Sequence, residues 1–242
     1  PPAVPTPPKK KKQNALAYPL DADGRNYRIT DDHIGEGAPL ERFQRNLDAI
    51  RTLKTVEAEN RAATAEEQAV LAQYVGWGGL ADFFDEKNPR YAELKELLTD
   101  AEYAAAREST LTAFYTPPVV IRGIYAALGQ MGFTQGNILE PSCGIGNFLG
   151  MLPENISGSK LYGVELDESR AEEAQTRLHR VGFGSFFHSS ISREAFHLLF
   201  LNPPYLSVIN ESGGRSRHEK RFLIESLPAL AYGGLLIYVI PY

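Results

Sequence analysis

Two patterns of apolar residues divide the chain near residue 110. Between Leu40 and Val56 the apolar positions recur every three or four residues, which predicts one long amphipathic helix. Shorter clusters of the same kind follow, so we expect a helical N-terminal domain over residues 31–110. From Leu111 onward, short apolar runs alternate with helical segments, which is typical of an α/β domain with a parallel sheet.

The second pattern is specific enough to predict individual elements. Apolar runs predict five strands, at 138–140, 161–165, 185–187, 196–201 and 235–240. Helices are predicted between them, at 117–128, 168–180 and 218–230. We therefore expect an open sheet with helices packed on it.

A glycine-rich stretch from Gly76 to Gly79 interrupts the helical domain and contains the single tryptophan, Trp77. A tryptophan between glycines can be a wedge that faces DNA or a buried anchor that docks one domain on another. Single tryptophans are more often buried, so we favour the anchor. The helix before this stretch, opened by a capping box at Thr64, is predicted to continue through Tyr74.

Composition and charge narrow the class of protein. The 242 residues are 43% hydrophobic, as in ordinary globular proteins, and no apolar run approaches the roughly 20 residues that span a membrane. The net charge of −5 argues against a general nucleic-acid binder. Residues 1–30 begin with a proline-rich stretch followed by Lys9 to Lys12, a composition that predicts a disordered tail or linker.

Cysteine and histidine usage argues against two kinds of site. The single cysteine, Cys143, cannot form an internal disulfide and favours a reducing cytoplasm. It lies in a glycine-rich turn, where a small packed side chain is a better interpretation than a nucleophile. Because cysteine and histidine show no metal-ligand spacing, we predict no metal site.

The tetrapeptide Asn202-Pro203-Pro204-Tyr205 follows directly on the apolar run 196–201 and carries the clearest candidate chemistry. The Asn202 side-chain oxygen and the Pro203 carbonyl can both accept hydrogen bonds from an exocyclic amine. The two prolines restrict the backbone, and Tyr205 offers a face on which an extruded base can stack. Such a loop can position a planar nitrogen nucleophile for attack on an electrophilic methyl group.

A glycine turn and an acid are the candidate residues for binding a cofactor. Gly144 and Gly146 lie between a predicted strand and a predicted helix start, where the backbone can approach a ligand closely. Glu165 lies at the end of the second predicted strand, where dinucleotide-type folds place an acid that accepts from ribose hydroxyls. The order of these motifs suits a nucleoside-bearing cofactor and an amine substrate.

Together these motifs resemble those of S-adenosylmethionine-dependent N6-adenine DNA methyltransferases, in the order of the gamma type. The resemblance implies a Rossmann-like class I methyltransferase sheet over residues 111–242, with S-adenosylmethionine as cofactor and an adenine flipped from DNA as substrate. It implies that Asn202, Pro203, Pro204 and Tyr205 are catalytic. It assigns ten residues to the cofactor: Tyr115, Thr116, Pro117, Glu140, Pro141, Ser142, Gly144, Gly146, Asn147 and Glu165.

One position departs from this pattern. Many relatives place an Asp after the third strand to hold the adenine amine of the cofactor, whereas this sequence has Ser185 and, three residues later, His188. Either of these residues takes that role, or none does, and we assign Ser185 to the cofactor site.

A basic segment after the tetrapeptide is the candidate contact with DNA. Two glycines precede Arg215, Arg217, Lys220 and Arg221, so a mobile loop can bring four cations to phosphate groups. A solvated loop is the other interpretation. Two motifs of the helical domain, residues 32–37 and 74–80, resemble DNA methylases of phages and conjugative elements, which are often fused to helicases. Residues 170–242 resemble small plasmid-borne methyltransferases. These resemblances imply a cytoplasmic protein of bacterial, phage or plasmid origin.

Other functions stay open on the sequence alone. Methylation of another planar amine, an RNA base or a protein glutamine, uses similar tetrapeptides, and a non-catalytic nucleic-acid-binding subunit can keep the same fold. The chain stops directly after the fifth predicted strand, where methyltransferases of this fold continue with two more strands and a target-recognition region. We therefore expect a truncated domain with an unpaired edge strand.

Overall fold

The structure, a computed structural model, describes residues 27–61, 63–111, 115–156, 158–166, 181–204, 207–209 and 215–240. The predicted helix at 168–180 and the tetrapeptide residue Tyr205 lie outside these ranges. In the described ranges, no helix has the length and apolar character needed to cross a membrane.

The N-terminal half of the described chain is helical, as predicted. Its helices are α1 (Pro39–Ala58), α2 (Ala65–Leu71), α3 (Tyr91–Leu97) and α4 (Asp100–Ser109), with a 3-10 turn at Ala81–Phe84. Helix α2 ends three residues before the predicted Tyr74. The reason is tertiary: the Val75 N–H donates to the side-chain oxygen of Asn46 on α1 instead of continuing the helix.

Trp77 is buried, with 2% of its surface exposed. It packs edge-on against Phe84 and lies in one core cluster with Phe43 and Phe83, whose rings stack 4.1 Å apart. The prediction that Trp77 is a buried anchor is therefore confirmed as far as its burial goes, and the alternative of a wedge that faces DNA is wrong. However, Trp77 anchors the core of the helical region itself, because this cluster contains residues of that region alone.

The C-terminal half is an α/β unit built on a five-stranded sheet. The strands β1 (Asn137–Glu140), β2 (Lys160–Glu165), β3 (Val181–Phe183), β4 (Phe196–Leu201) and β7 (Leu230–Tyr238) are all parallel, in the order β3-β2-β1-β4-β7. The remaining strands, β5 (Ser207–Ile209) and β6 (Arg215–Arg217), form an antiparallel pair. The helices are α5 (Pro118–Gln130), α6 (Asn147–Gly150) and α7 (His218–Ser226).

The predicted third strand was wrong in position. Strand β3 ends at Phe183, and residues 186–188 form a 3-10 turn. Gly184 adopts a φ of +122°, which leaves the strand conformation, and its N–H donates to the Glu165 carbonyl. Consequently Ser185 lies just past the carboxyl end of β3 and not within a strand.

Two other boundaries differ from prediction near the C-terminus. Strand β7 begins at Leu230, five residues early, because Gly233 at φ +75° and a shift in pairing beside β4 accommodate an irregularity inside the strand. Helix α7 ends at Ser226 because Pro228 cannot continue it and belongs to a short 3-10 turn instead.

The segment from Tyr27 to Thr30, assigned to the tail by its sequence, joins the α/β unit. The Ile29 N–H donates to the Gly150 carbonyl at 2.8 Å, and its side chain is 3% exposed within the core beside α5 and α6. Arg28 donates to the Leu152 carbonyl at 3.0 Å. Residues 27–30 therefore belong to the α/β unit and not to a tail, because the apolar side chain of Ile29 packs in its core.

Candidate active site

The predicted site residues meet at the carboxyl ends of β1, β2 and β4. Glu140 is the last residue of β1, Glu165 is the last residue of β2, and Asn202 follows β4. These strands are neighbours, and chain order reverses between β1 and β4. In open parallel sheets, ligands bind beyond the strand ends at such a reversal.

The glycine turn between β1 and α6 is held from two sides. Gly144 and Gly146 have φ values of +54° and +80°, which other residues rarely adopt. The Gly144 N–H donates to the Glu165 carboxylate at 2.8 Å. A Cβ atom on Gly144 would lie 2.8 Å from the Tyr115 ring, so this ring covers the turn closely. Three residues assigned to the cofactor are therefore in direct contact.

A hydrogen bond joins the tetrapeptide to the segment before α5. The Asn202 amide nitrogen donates to the Thr116 hydroxyl at 2.9 Å. Ser142, in the glycine turn, makes a longer contact of 3.4 Å with the Asn202 carbonyl. Because the amide nitrogen faces Thr116, the Asn202 side-chain oxygen is the end that can accept from another group.

Two buried carboxylates dominate the electrostatics of the site. Glu140 is 2% exposed and Glu165 is 7% exposed. The Oε2 atom of Glu140 has no hydrogen-bond partner in the described part of the chain. Burial, and secondarily the charge of Glu165, raise the pKa of Glu140 well above its usual range. A ligand that brings positive charge or hydrogen-bond donors would therefore be stabilised here.

The remaining cofactor-side residues fall around this centre. Pro117 caps the start of α5, Pro141 is buried after β1, and Asn147 begins α6. Ser185 lies beside the end of β2, since the preceding Gly184 donates to the Glu165 carbonyl. Its position is compatible with the role assigned to it.

Cys143 behaves as a packed side chain. It is 5% exposed, and burial, together with the charges of Glu140 and Glu165, raises the pKa of its thiol well above the ordinary value. A protonated thiol is a poor nucleophile or metal ligand. Among the described residues, no group of acidic, histidine or cysteine side chains is arranged to hold a metal ion.

The basic segment is only partly available for phosphate. The Arg217 side chain is 76% exposed, with its guanidinium 3.7 Å from Glu219, and Lys220 is exposed. Arg221 donates to Glu225 at 3.0 Å and lies over the ring of Phe187. The side chain of Arg215 lies outside the description, as does Tyr205.

The helical region packs on the cofactor side of the α/β unit, as its apolar pattern led us to expect, and it touches the glycine turn itself. Ile145, between the two turn glycines, is completely buried against Ala49 of α1 and Tyr74. The Tyr74 ring also lies 6.4 Å from that of Tyr115. A large apolar residue between two glycines of a ligand-binding turn is the signal that could have indicated this contact.

The sheet order and the glycine turn define a Rossmann-like α/β protein. Comparison with known families gives the class of protein: residues 109–242 match the model of the uncharacterised methyltransferase family DUF6094. The chain belongs to this family.

Individual relatives are more distant. A segment of 94 residues is 33% identical to the type II methyltransferase M.CvrRI of Paramecium bursaria Chlorella virus XZ-6E, covering 39% of this chain and 24% of the viral protein. The match thus spans about a quarter of that relative.

Solved structures resemble the chain weakly. A Listeria monocytogenes protein described as a class I S-adenosylmethionine-dependent methyltransferase has a TM-score of 0.48 at 13% identity, over 83% of this chain and 74% of its own. A type I restriction-modification methyltransferase subunit from Streptococcus thermophilus has a TM-score of 0.41 at 15% identity, over 79% and 54%. Both scores are low, and the strand order of the chain's own sheet defines its fold.

Proposed function

We propose that this methyltransferase transfers a methyl group from S-adenosylmethionine to the N6 amine of adenine in DNA. One observation carries the proposal: the Asn202 amide donates to Thr116, so the tetrapeptide lies directly beside the segment that covers the glycine turn. An amine held by Asn202 would therefore lie next to a cofactor held by that turn.

The cofactor proposal fits the residues present. Gly144 lets the backbone pass close to a ligand, and Glu165, which accepts from the Gly144 N–H, is the kind of strand-end acid that binds ribose hydroxyls in dinucleotide-type folds. The unpartnered oxygen of Glu140 suits the cationic methionine end of S-adenosylmethionine. When bound, that cofactor supplies the electrophilic methyl group.

On the substrate side, the chain's own residues orient the amine. The Asn202 side-chain oxygen and the Pro203 carbonyl can each accept one N–H of an exocyclic amine, which directs the nitrogen lone pair at the methyl group. Arg217 and Lys220 follow the tetrapeptide in the sequence and are exposed. They are the candidates for phosphate contact among the described residues. The likeness to a viral type II methyltransferase supports DNA as the substrate.

Methyl transfer from labelled S-adenosylmethionine to separate pools of DNA, RNA and protein tests this proposal. We expect label in DNA, recovered as N6-methyl-2′-deoxyadenosine after digestion to nucleosides. Label in RNA or in protein glutamine would move the same chemistry to another planar amine. Cofactor binding without transfer to any pool would favour a non-catalytic nucleic-acid-binding subunit and contradict the proposal.

A matched variant makes the assay specific to this site. Thr99→Ala changes a surface helix cap in the helical region and should transfer label at the parent rate. Asn202→Ala should transfer almost no label. Any activity that remains in this variant at the level of Thr99→Ala would come from a contaminating methyltransferase.

A further inference from the structure

Tyr74 is a buried residue of the helical region that lies beside the glycine turn and has no role in the proposed function. It is 6% exposed and belongs to one core cluster with Ala49 of α1 and Ile145 of the turn. Its ring also lies 6.4 Å from the ring of Tyr115, at an interplanar angle of 56°. Two rings at this distance are within the range in which aromatic pairs attract each other. Tyr74 therefore packs both on the turn and on the residue that covers it.

The backbone next to Tyr74 is fixed from the helical side. Asn46 of α1 accepts from the Val75 N–H at 2.9 Å and donates to the Gly76 carbonyl at 2.8 Å. The Tyr74 ring packs edge-on against the buried Trp77, with the two ring centroids 6.4 Å apart. The core of the helical region thus sets the position of this ring.

Tyr115, by contrast, is half-buried and lies before α5 on a segment that is neither helix nor strand. The next residue, Thr116, is bonded to Asn202, which places the backbone of Tyr115 but not its ring. The ring lies so close to the glycine turn that a Cβ atom on Gly144 would be 2.8 Å from it. A half-buried ring on such a segment can change rotamer unless another group packs against it. Tyr74 supplies such a group from the helical region.

We propose that Tyr74 is a positioning residue of the cofactor site, which holds the Tyr115 ring over the glycine turn and so strengthens the binding of S-adenosylmethionine. The inference rests on the proposed function, in which Tyr115 belongs to the cofactor site, and adds that the helical region completes this site. In this role Tyr74 acts through Tyr115 and not on the reacting atoms. By thermodynamic linkage, a bound cofactor stabilises the docking of the helical region in return.

Binding of S-adenosylhomocysteine, measured by calorimetry, tests the inference without requiring methyl transfer. Tyr74→Leu should weaken this binding by about 3- to 10-fold, the range that corresponds to the loss of one aromatic pair. Tyr74→Phe keeps the ring and should bind like the parent. In the methyl-transfer assay, Tyr74→Leu should raise the KM for S-adenosylmethionine and leave kcat unchanged, because saturating cofactor restores the bound state.

The control is Tyr103→Leu, the same substitution elsewhere in the helical region. Tyr103 is half-buried and packs against the rings of Phe84 and Tyr91. This variant should lose stability in urea unfolding but keep the parent's affinity for S-adenosylhomocysteine. A double-mutant cycle then tests whether Tyr74 acts through Tyr115: in the Tyr115→Leu background, Tyr74→Leu should weaken binding little further.

Hydrogen exchange on the parent gives a test that needs no variant. Saturating S-adenosylhomocysteine should slow the exchange of the backbone amides at 74–77 by about 3- to 10-fold, since linkage makes the coupling equal in both directions. The amides of α3 (Tyr91–Leu97) should exchange as before and serve as the internal control.

The outcomes separate this inference from the proposed function. If Tyr74→Leu binds S-adenosylhomocysteine as tightly as the parent, or if Tyr103→Leu weakens binding equally, the inference is wrong. An undiminished effect of Tyr74→Leu in the Tyr115→Leu background, or unslowed exchange at 74–77, also overturns it. The exchange result decides the matter if Tyr74→Leu does not fold. Methyl transfer to RNA or protein instead of DNA would contradict the proposed function alone, because these binding measurements do not depend on the methyl acceptor.

Discussion

The helical region and the α/β unit differ in whether their buried polar side chains have hydrogen-bond partners. On α1, Asn46 is completely buried, but its amide donates to the Gly76 carbonyl at 2.8 Å and accepts from the Val75 N–H at 2.9 Å. In the α/β unit, Glu140 at the end of β1 and Glu219 at the start of α7 are buried, and each has an oxygen without a partner among the described residues.

Under the proposed function, the contrast separates polar groups that maintain the fold from polar groups that gain a partner when a ligand binds. Satisfied polar groups in a core fix one arrangement, whereas unsatisfied ones reduce stability until something binds them. Arg42, whose Nε atom is buried without a partner in the described chain, is an exception within the helical region. The predictions below test the contrast, beginning with the largest expected effect.

Asn202→Ala should reduce the rate of methyl transfer on the order of 10²-fold or more, because it removes one positioned contact to the reacting amine. Affinity for S-adenosylmethionine should stay close to that of the parent, since Asn202 faces the amine. Single-turnover kinetics and calorimetry measure the two quantities. Transfer within a few-fold of the parent rate would show that the tetrapeptide is not catalytic.

Asn46→Ala should lower the free energy of unfolding by about 2–3 kcal/mol, because it leaves the Gly76 carbonyl and the Val75 N–H buried and unpaired. Urea denaturation measures the change. Gln44→Ala on the same helix removes a surface contact to Asp48 and is the control, expected to change little. Equal losses in both variants would mean that Asn46 stabilises α1 and not the connection to α2.

Glu165→Ala should weaken S-adenosylmethionine binding by about 1.5–3 kcal/mol, the usual loss for hydrogen bonds to a charged acceptor. It also frees the Gly144 N–H, which loosens the turn. Calorimetry on Glu154→Ala, an exposed acid paired with Arg28, gives the control. Unchanged affinity after loss of Glu165 would place the ribose contact elsewhere.

Glu140→Gln should stabilise the ligand-free protein by about 1–3 kcal/mol near neutral pH, the range for relieving one poorly satisfied buried group. Burial raises the folded-state pKa of Glu140 above its ordinary value of 4.5. Ionisation therefore penalises the folded state more and more as the pH rises above 4.5, up to the folded pKa.

The advantage of the Glu140→Gln variant over the parent should accordingly be smallest in acid and grow with pH, as measured by urea unfolding. Its affinity for S-adenosylmethionine should fall at the same time. A variant that is less stable than the parent at neutral pH would place Glu140 with the satisfied structural groups.

Thr99→Ala should cost about 1 kcal/mol of stability and leave methyl transfer unchanged. Thr99 and Glu102 form a reciprocal cap at the start of α4, with backbone contacts of 3.3 Å and 2.6 Å. Thr99→Ser, which retains the hydroxyl, is the control in thermal unfolding. A change in transfer rate would show that the helical region reaches the site through α4.

The local pattern of apolar residues was sufficient to predict an element where that element is long or where clear turn residues bound it. The helix over Pro39–Ala58 and the strand over Phe196–Leu201 match their predicted apolar spacing closely. The third strand was misplaced because it has only three residues, too few to show a period. The aromatic pair Phe186-Phe187, which looked like a strand, instead packs against Phe222 of α7.

Sequence by itself predicted a Rossmann-like methyltransferase fold and the order of the strands along the chain. It also predicted the residue types of the candidate site, because turn glycines, strand-end acids and the Asn-Pro-Pro tetrapeptide are local signals. The tertiary structure alone decided which of these residues touch. Thr116 and Asn202 are 86 positions apart, yet they share a hydrogen bond because the segment before α5 lies against the carboxyl end of β4. Likewise, Glu219 is one more charge on a basic helix start in the sequence, and only the folded structure shows that it is 8% exposed. Burial depends on what the rest of the chain places around a residue, and no local pattern carries that information.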